Sequence, residues 1–320
     1  MGKHRKPKVV VLGGGTGMPV LLQGLKKYPL DLTAVVTVAD DGGSTGKIRD
    51  VINVPAPGDV RNVIAALANV DEDLNKLFQY RIEGGNGLDG HALGNLLLVA
   101  TNEITGDFNR AVEKIARLFN VKANIFPIVN ESVTLHAEME DGSIVTGESN
   151  IPIKNKKIKR IFLTPEDVTA NKSVIQAIQE ADLIVISPGS LYTSILPNLI
   201  IRDVINALTE TEASIVYVCN IMTQRGETND YTASDHVKAI YNHLNANIID
   251  TIIVHNERID ANVLQAYEKE QAFQVTIDRD ELDQLNLSII TEDIVDYNQQ
   301  IIRHNYSKIA KLLFDLTEKI

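Results

Sequence analysis

The sequence contains a single cysteine, Cys219, among its 320 residues. One cysteine permits no internal disulfide bond and no cysteine cluster for a metal, and this scarcity fits a reducing compartment. No apolar run approaches the roughly 20 residues that a membrane-spanning helix needs. The basic start of the chain, Met1 to Lys8, precedes only the apolar run Val9–Leu12, which is too short for a secretory signal. We therefore expect a cytoplasmic protein without a transmembrane segment.

Positive charge is also scarce, since 31 Lys and Arg residues face 42 Asp and Glu residues, for a net charge of -11. A field of this sign repels nucleic acid and anionic lipid, so we expect no nucleic-acid partner. An anionic small ligand must instead be captured by local donors. The hydrophobic content of 44% excludes a disordered chain, a collagen and a coiled coil, and a chain of this size hides about 75% of its unfolded surface.

The motifs of covalent catalysis are absent from the sequence. It has no G-x-S-x-G nucleophile elbow and no H-E-x-x-H zinc motif. Cys219 follows an apolar run and is expected to be a small buried side chain rather than a nucleophile. Whether the protein is an enzyme stays open on these grounds, and a binding protein is favoured.

Short apolar runs rich in branched residues alternate with longer segments of helical period. This alternation is typical of the α/β class, in which helices cover a parallel sheet. The predicted strands are Val9–Leu12, Thr33–Val38, Leu183–Ile186, Ser214–Cys219 and Ile249–Val254. The predicted helices include Val60–Ala68, Phe108–Phe119 and Lys172–Glu180.

Residues 133–139 depart from this alternation, because apolar and polar side chains follow one another there with a period of two. Asp141-Gly142 then favours a tight hairpin turn. Residues 151–162 carry five basic side chains and are expected to form the exposed edge of the same β-hairpin insertion, at about residues 131–163. That edge is either a solvated face or a contact surface for an anion. We expect residues 1–320 to form a single nucleotide-binding domain that carries this insertion.

A glycine-rich loop follows the first predicted strand at residues 13–17 (Gly-Gly-Gly-Thr-Gly). Between a strand and a helix, such a loop lets backbone N–H groups approach a phosphate, and the helix N-terminus adds a favourable dipole. The dinucleotide fingerprint G-x-G-x-x-G fails because Met18 occupies the position of the third glycine. The loop therefore predicts a nucleotide phosphate site, with a merely tight turn as the alternative.

An acidic pair and a second glycine-rich loop follow the second predicted strand, at residues 40–47. The Walker phosphate-binding pattern fails there, since Asp41 replaces its first glycine and an isoleucine follows the lysine. Asp40 and Asp41 could hold a ribose or a divalent cation that bridges phosphates, beside the hydroxyl groups of Ser44 and Thr45. No cofactor is predicted other than Mg²⁺ arriving with a nucleotide diphosphate, and two solvated turn aspartates are the alternative.

Further polar loops follow at residues 84–90, 187–190 and 219–227. His91 and Asn95 come directly after the first of these and would lie one helical turn apart, so they could face one pocket. A lone histidine is more often structural than catalytic. In the last loop, Asn220 could read a base or sugar edge, and Thr223 a phosphate.

Four of these motifs occur in a recognisable order: Gly-Gly-Thr-Gly at 14–17, Asp-Asp-Gly-Gly-Ser-Thr-Gly at 40–46, His-Ala-Leu-Gly-Asn at 91–95 and Ser-Pro-Gly-Ser at 187–190. This set resembles the CofD-like superfamily, whose enzymes are 2-phospho-L-lactate transferases of coenzyme F420 synthesis. Cys-Asn-Ile-Met-Thr-Gln at 219–224 and Tyr-Thr-Ala-Ser-Asp-His at 231–236 extend the similarity to its YvcK branch, the bacterial gluconeogenesis factors.

The resemblance implies a Rossmann-like fold and a cytoplasmic protein that binds UDP-sugars, notably UDP-N-acetylglucosamine. It also implies a regulatory role that links gluconeogenic carbon metabolism to cell-wall synthesis and cell shape. Carried onto this sequence, the phosphate-facing residues are Gly14, Gly15, Thr16 and Gly17, with Ser187, Gly189 and Ser190 opposite them and Asp40 and Asp41 in the same cleft.

Tyr267 and Arg303 are candidates for the sugar or uracil end of the same ligand. An aromatic ring can stack on a base, and a guanidinium can bind two oxygens at once. Core packing of Tyr267 and a plain surface charge at Arg303 are the alternatives.

The leading hypothesis is a UDP-sugar sensor that contacts a cell-wall synthesis or signalling protein, with a homo-oligomer as a further option. The main alternative is a transferase that moves a phospho-organic acid from a nucleotide carrier to an acceptor, with Asp40 or Asp41 on a divalent cation. A nicotinamide-dependent oxidoreductase is suggested by the fold class alone and is weakened by Met18.

Overall fold

The computed structural model describes residues 5–85, 87–298 and 301–319. No helix in these residues is both long enough and apolar enough to cross a membrane. The strands of the described residues are, in chain order, β1 (Lys8–Gly13), β2 (Asp31–Val36), β3 (Asn124–Pro127), β4 (Thr134–Met139), β5 (Ile144–Thr146), β6 (Ile158–Thr164), β7 (Leu183–Ile186), β8 (Ser214–Val218), β9 (Thr251–His255), β10 (Ser288–Glu292), β11 (Val295–Asn298) and β12 (Ile301–His304).

The helices connect these strands. They are α1 (Gly17–Leu25), α2 (Gly43–Arg49), α3 (Gly58–Leu67), α4 (Glu72–Gln79), α5 (Leu93–Thr105), α6 (Phe108–Leu118), α7 (Lys172–Gln179), α8 (Leu196–Leu199), α9 (Arg202–Glu210), α10 (Ala233–Leu244), α11 (Ala261–Lys269), α12 (Arg279–Asp283) and α13 (Tyr306–Thr317). The predicted strands and helices are all present, with ends displaced by at most two residues.

Seven strands form one parallel sheet in the order β10-β9-β8-β7-β1-β2-β3. In its centre, Val11 of β1 lies opposite Ala34 of β2 and Val185 of β7, and all three side chains are buried. The strand order reverses between β1 and β7. Right-handed crossovers then place helices on both faces and open a crevice at the carboxyl ends of these two strands. The predicted α/β, Rossmann-like fold is confirmed.

The insertion forms a separate antiparallel sheet in which β4 lies between β5 and β6. The turn between β4 and β5 is the Asp141-Gly142 pair, and Gly142 has a φ of +80°. A glycine tolerates this left-handed backbone without the steric cost that a side chain adds. The hairpin predicted at this pair is therefore confirmed.

Ion pairs neutralise much of the basic edge of the insertion. Lys156 Nζ lies 2.5 Å from Asp141, and Lys159 and Arg160 each lie 2.6 Å from Glu138. Three of the five basic side chains are thus paired with acids of the same small sheet. This arrangement favours the solvated face over the anion contact surface.

The buried apolar side chains form one large core and one small cluster. Leu135 and Ala137 of β4 belong to the same core as the strands of the central sheet. The small cluster holds together the segment before the C-terminus and comprises Ile221, Ile259, Val295 and Ile302, with Tyr267 packed against it. It attaches the hairpin β11–β12 to α11 and to the loop after β8.

Helices α1 and α13 approach closely at Gly24. A Cβ atom at this position would lie 2.9 Å from both Ala310 Cβ and the backbone oxygen of Tyr306. Real Cβ atoms do not approach other atoms this closely, so the contact requires glycine. The packing fixes the start of α13, and with it Tyr306, above the first glycine-rich loop.

Gly24→Val should overpack this helix contact and lower the free energy of unfolding by about 1–3 kcal/mol. Gln23→Val is the matched control, because Gln23 is exposed on the same helix. This substitution also introduces a β-branched residue into the helix, with the same cost in helix propensity. Urea unfolding of both variants measures the difference. Equal losses in the two variants would show that the contact at Gly24 is not tight.

Candidate functional site

A cavity of about 400 Å³ opens where the loops after β1, β7 and β8 meet the C-terminal segment. Its walls include eight of the residues singled out in the sequence: Thr16, Gly17, Gly189, Ser190, Asn220, Thr223, Tyr267 and Arg303. We refer to this space as the nucleotide cavity. The topology brings these residues together from five separate stretches of the chain.

The first wall is the glycine-rich loop and the start of α1. A Cβ atom at Gly17 would lie 2.5 Å from the backbone oxygen of Pro188, so only glycine lets the two loops pack here. The Thr16 side chain does not cap the first turn of α1. Pro19 has no N–H group, so the turn offers the N–H groups of Gly17 and Met18, which have no acceptor among the residues that the structure describes.

The second wall is the loop after β7, which is tied to the loop after β8. Asn220 accepts a hydrogen bond from the Gly189 N–H (3.2 Å) and donates one to the Gly189 oxygen (2.8 Å). Ser190 Oγ donates to Gln224 Oε1 at 2.8 Å. These bonds use Oδ1 and one of the two Nδ2–H groups of Asn220 to hold the loop, which leaves the second N–H for the predicted contact with a base or sugar edge.

Glu227 lies buried behind this wall, with 4% of its surface exposed. Its carboxylate accepts hydrogen bonds from the Tyr192 N–H (3.0 Å), the Thr193 hydroxyl (3.0 Å) and the Gln224 amide (3.0 Å). Burial raises the pKa of Glu227 to about 7, against the opposing effect of these donors. The bonds connect the Leu191–Ile195 π-helix to the loop after β8 and fix the positions of both.

The third wall comes from α11, β12 and the start of α13. Tyr267 Oη accepts a hydrogen bond from the Ile302 N–H at 2.8 Å, which leaves the ring edge at the cavity. Arg303 is exposed, and its guanidinium forms no hydrogen bond or ion pair with the residues that the structure describes. Tyr306 completes the wall, and burial raises its pKa to about 12.

His304 holds this C-terminal wall against the sheet. Its Nε2 lies 3.1 Å from the backbone oxygen of Cys219. Burial lowers the pKa of His304 to about 4, so the ring is neutral at pH 7 and must carry its proton on Nε2 to donate to that oxygen. The thiol of Cys219 is buried and its pKa is raised to about 12, mainly by burial, which makes it a poor nucleophile.

Acidic side chains gather beside the glycine-rich loop, outside the walls of the nucleotide cavity. Asp59 Oδ2 accepts a hydrogen bond from the Gly15 N–H at 2.8 Å, and burial raises its pKa to about 6. Burial and then the charges of Asp40, Asp41 and other acids raise the pKa of Glu148 to about 8. Within the described ranges, no group of three or more metal-ligating side chains is arranged to hold an ion.

The two adjacent aspartates have different surroundings. Asp41 Oδ1 accepts a hydrogen bond from the Ser149 N–H at 2.9 Å, which anchors the insertion to the loop after β2. Asp40 uses one oxygen for the Gly42 N–H at 2.9 Å, while the other faces Gly58 at the start of α3. The second oxygen of Asp41 faces Gly147 in the same way, so each aspartate keeps one oxygen without a side-chain or backbone donor in the described residues.

The remaining predicted site residues, Gly14, Gly15, Ser44, Thr45, Asn95 and Ser187, lie outside the cavity walls. Ser44 Oγ accepts hydrogen bonds from Asn95 Nδ2 (3.1 Å) and the Ala92 N–H (3.3 Å), with His91 Nδ1 3.2 Å away. His91 and Asn95 thus lie beside the same hydroxyl group, that of Ser44, as their spacing of one helical turn predicts. Their contacts with Ser44 join α2 to α5 and are part of the scaffold.

Asp59, Glu148, Glu227 and Tyr306 were not predicted from the sequence. The Pro-Gly-Asp at residues 57–59, at the start of α3, offered a local signal for Asp59. Glu148 had no such signal, because the insertion meets the glycine-rich loops only in three dimensions.

Glu148→Gln should weaken the dependence of stability on pH. The folded-state pKa of about 8 exceeds that of an unfolded carboxyl, about 4.3. The folded protein thus binds more protons between these values, and the free energy of unfolding falls as the pH rises from about 5 to about 9. We expect the variant to gain about 1–3 kcal/mol at pH 9 and little at pH 5.

Chemical denaturation from pH 5 to pH 9 measures this effect. Glu103→Gln, at an exposed site on α5, is the control and should follow the parent protein. If the free energy of unfolding of Glu148→Gln falls with pH as steeply as that of the parent protein, another group causes the pH dependence.

Comparison with known proteins connects this geometry to a family. The model of the family described as 2-phospho-L-lactate transferase CofD matches residues 9–295. The chain is 50% identical over 315 residues to the gluconeogenesis factor of Bacillus subtilis, covering 98% of this chain and 99% of that protein. It is also 50% identical over 311 residues to the gluconeogenesis factor of Halalkalibacterium halodurans, with 97% of each chain covered.

A crystal structure of a Bacillus halodurans protein shares the fold, with a TM-score of 0.94, 50% sequence identity, and coverage of 97% of this chain and 99% of that one. The chain therefore belongs to the 2-phospho-L-lactate transferase CofD family and is similar over nearly its whole length to gluconeogenesis factors.

Proposed function

We propose that this protein is a UDP-sugar-binding regulatory protein, with UDP-N-acetylglucosamine as its first candidate ligand. Its output is a contact with a partner that links gluconeogenic carbon metabolism to cell-wall synthesis and cell shape. The observation that carries the proposal is the nucleotide cavity, where a helix N-terminus faces two tyrosines and an arginine that has no ion pair in the described part of the chain. Its volume of about 400 Å³ is that of a small-molecule site, for which about 300–1,000 Å³ is usual.

The diphosphate is assigned to the side of the cavity formed by Thr16, Gly17 and Ser190. The N–H groups of Gly17 and Met18 and the Thr16 hydroxyl supply neutral donors to an anion, while the Ser190 hydroxyl already donates to Gln224. Local donors of this kind matter in a protein whose net charge is -11, since its overall field repels the ligand.

The uridine or sugar end is assigned to the C-terminal wall. Arg303 reaches the cavity without a carboxylate partner among the described residues, so its guanidinium can bind two ligand oxygens. Tyr267 and Tyr306 provide aromatic surface at the same wall. Tyr267 is already bonded to β12, so a ligand that contacts it also contacts the hairpin.

The hydrogen bond between Tyr267 and β12 couples ligand binding to the C-terminal hairpin, and this coupling supports a regulatory role. The CofD family model ends at residue 295, before Arg303, whereas 98% of the chain aligns with the Bacillus subtilis gluconeogenesis factor. The wall that carries Arg303 therefore lies in the part of the chain that aligns with the gluconeogenesis factor but not with the family model. A ligand held between this wall and the glycine-rich loop shifts the protein towards any conformation in which the two lie close.

A thermal-shift panel with UDP-N-acetylglucosamine, UDP-glucose, GDP, GTP and NAD, each with and without Mg²⁺, tests the proposal. A ligand at 100 times its dissociation constant stabilises the folded state by about 2.7 kcal/mol. We expect a selective shift with UDP-sugars, and intact ligand by mass spectrometry afterwards. Preference for NAD would instead indicate an oxidoreductase.

Arg303→Gln should raise the dissociation constant for UDP-N-acetylglucosamine about tenfold or more, since a hydrogen bond to a charged group is worth about 1.5–3 kcal/mol. The melting temperature without ligand should stay unchanged, because Arg303 makes no internal ion pair in the described residues. Arg202→Gln, at an exposed site on α9, is the control for titration calorimetry. Equal affinity in both variants would indicate that Arg303 is a surface charge that does not contact the ligand.

The acidic group beside the glycine-rich loop favours a second candidate, a CofD-like transferase. Asp59 and Glu148 have pKa values that are raised first by burial and then by the charges of neighbouring acids, including Asp40, so a cation would stabilise the ionised form of both. One or two of these carboxylates, together with the phosphates of a nucleotide, would be the usual ligands of Mg²⁺. Bound there, Mg²⁺ would neutralise charge on a diphosphate.

Nucleotide turnover decides between the two candidates. A transferase must consume its nucleotide carrier in the presence of Mg²⁺ and an acceptor, and Asp59→Asn should abolish this turnover. A sensor leaves the nucleotide sugar intact in the parent protein and in Asp59→Asn alike.

A further inference from the structure

Three cationic side chains converge near Gly90, on the β2 side of the sheet edge. Lys47 Nζ donates a hydrogen bond to the Asp89 backbone oxygen (3.0 Å), and Arg81 Nη1 donates one to the Gly90 oxygen (3.1 Å). Arg61 packs beside the same segment: a Cβ atom at Gly94 would lie 2.9 Å from Arg61 Cγ, and Gly94 is two residues beyond Ala92, which pairs with Arg81. The charge of Arg81 lowers the pKa of Arg61 further, after the larger effect of burial. We call Lys47, Arg61 and Arg81 the cationic cluster.

None of these three cations has a carboxylate oxygen within 4 Å among the residues that the structure describes. Arg61 is the unusual member, because only 7% of its surface is exposed. Its guanidinium makes one side-chain hydrogen bond, from Nη2 to Asn62 Oδ1 at 2.7 Å, and its buried Nε has no partner. Burying a charge is costly unless it is paired and hydrogen-bonded, so Arg61 has capacity for an anion.

We propose that the cationic cluster is a binding subsite for the phosphate group of a second small ligand, distinct from the nucleotide cavity. The cavity walls contain none of its three residues. In a chain of net charge -11, three cations that have no carboxylate oxygen within 4 Å among the described residues form a local group that attracts a dianion. The planar guanidinium of Arg61 supplies parallel donors for phosphate oxygens, and Lys47 and Arg81 add charge at the rim.

The start of α3 separates this subsite from the nucleotide cavity. Asp59 faces the glycine-rich loop through its bond to the Gly15 N–H, while Arg61, two residues later, belongs to the cationic cluster. Asp40 and Asp59 lie close enough to Arg61 to interact with its charge. An anion is therefore repelled on the Asp59 side of α3 and attracted on the Arg61 side, which confines it to the cluster.

Titration calorimetry of the full chain with inorganic phosphate, and separately with glycerol phosphate, tests the subsite. The double variant Lys47→Gln/Arg81→Gln should raise the dissociation constant for the better of the two ligands at least tenfold. Both side chains are exposed, so this variant should fold. Arg61→Lys, which keeps the charge and loses the planar donors, should weaken binding as well.

Arg110→Gln on α6, at an exposed site, and Arg303→Gln in the nucleotide cavity are the controls and should bind like the parent protein. Tighter binding of glycerol phosphate would identify a phosphorylated metabolite as the ligand class, and tighter binding of inorganic phosphate the free ion. The proposal fails if neither ligand binds the parent protein at millimolar concentration. It also fails if the double variant binds as well as the parent, or if Arg303→Gln loses the affinity instead.

Discussion

The close approach of two backbone loops, after β1 and after β7, is the constraint on which the site depends. A Cβ atom at Gly13 would overlap the side chain of Ser187, which is fully buried, and one at Gly17 would lie 2.5 Å from the Pro188 oxygen. Glycine at these positions lets the crevice between neighbouring parallel strands become narrow enough for backbone N–H groups to reach a phosphate. The Asn220 and Glu227 side chains then hold the second loop at that distance.

The sequence predicted the α/β fold and the meeting of its polar loops because hydrophobic periodicity and glycine spacing are local signals. Parallel strands place their carboxyl ends at one edge, so Thr16, Ser190 and Asn220 share one cavity. The roles of individual side chains were harder to predict. Ser44 and Asn95 bond to each other and join two helices, and the raised pKa of Glu148 depends on an insertion whose packing no local pattern describes.

The charge distribution separates the sheet edge into three zones. The nucleotide cavity offers mostly neutral donors with Arg303 at its outer wall. The acids around Asp59 and Glu148, whose pKa values burial raises, form an acidic zone beside the glycine-rich loop. The cationic cluster lies beyond them on the other side of α3. Two anionic ligands separated by carboxylates would suit either a sensor of two metabolites or a transferase whose donor and acceptor flank a cation.

The central claim is that a UDP-sugar bridges the glycine-rich loop and the C-terminal hairpin. Hydrogen exchange measured by mass spectrometry, with and without UDP-N-acetylglucosamine, tests it most directly. The account predicts new amide protection at residues 14–17, at 188–190 and in β12, with none in the insertion sheet. Protection confined to the insertion or to α9, or an unchanged hairpin in a protein that binds the ligand, would contradict it.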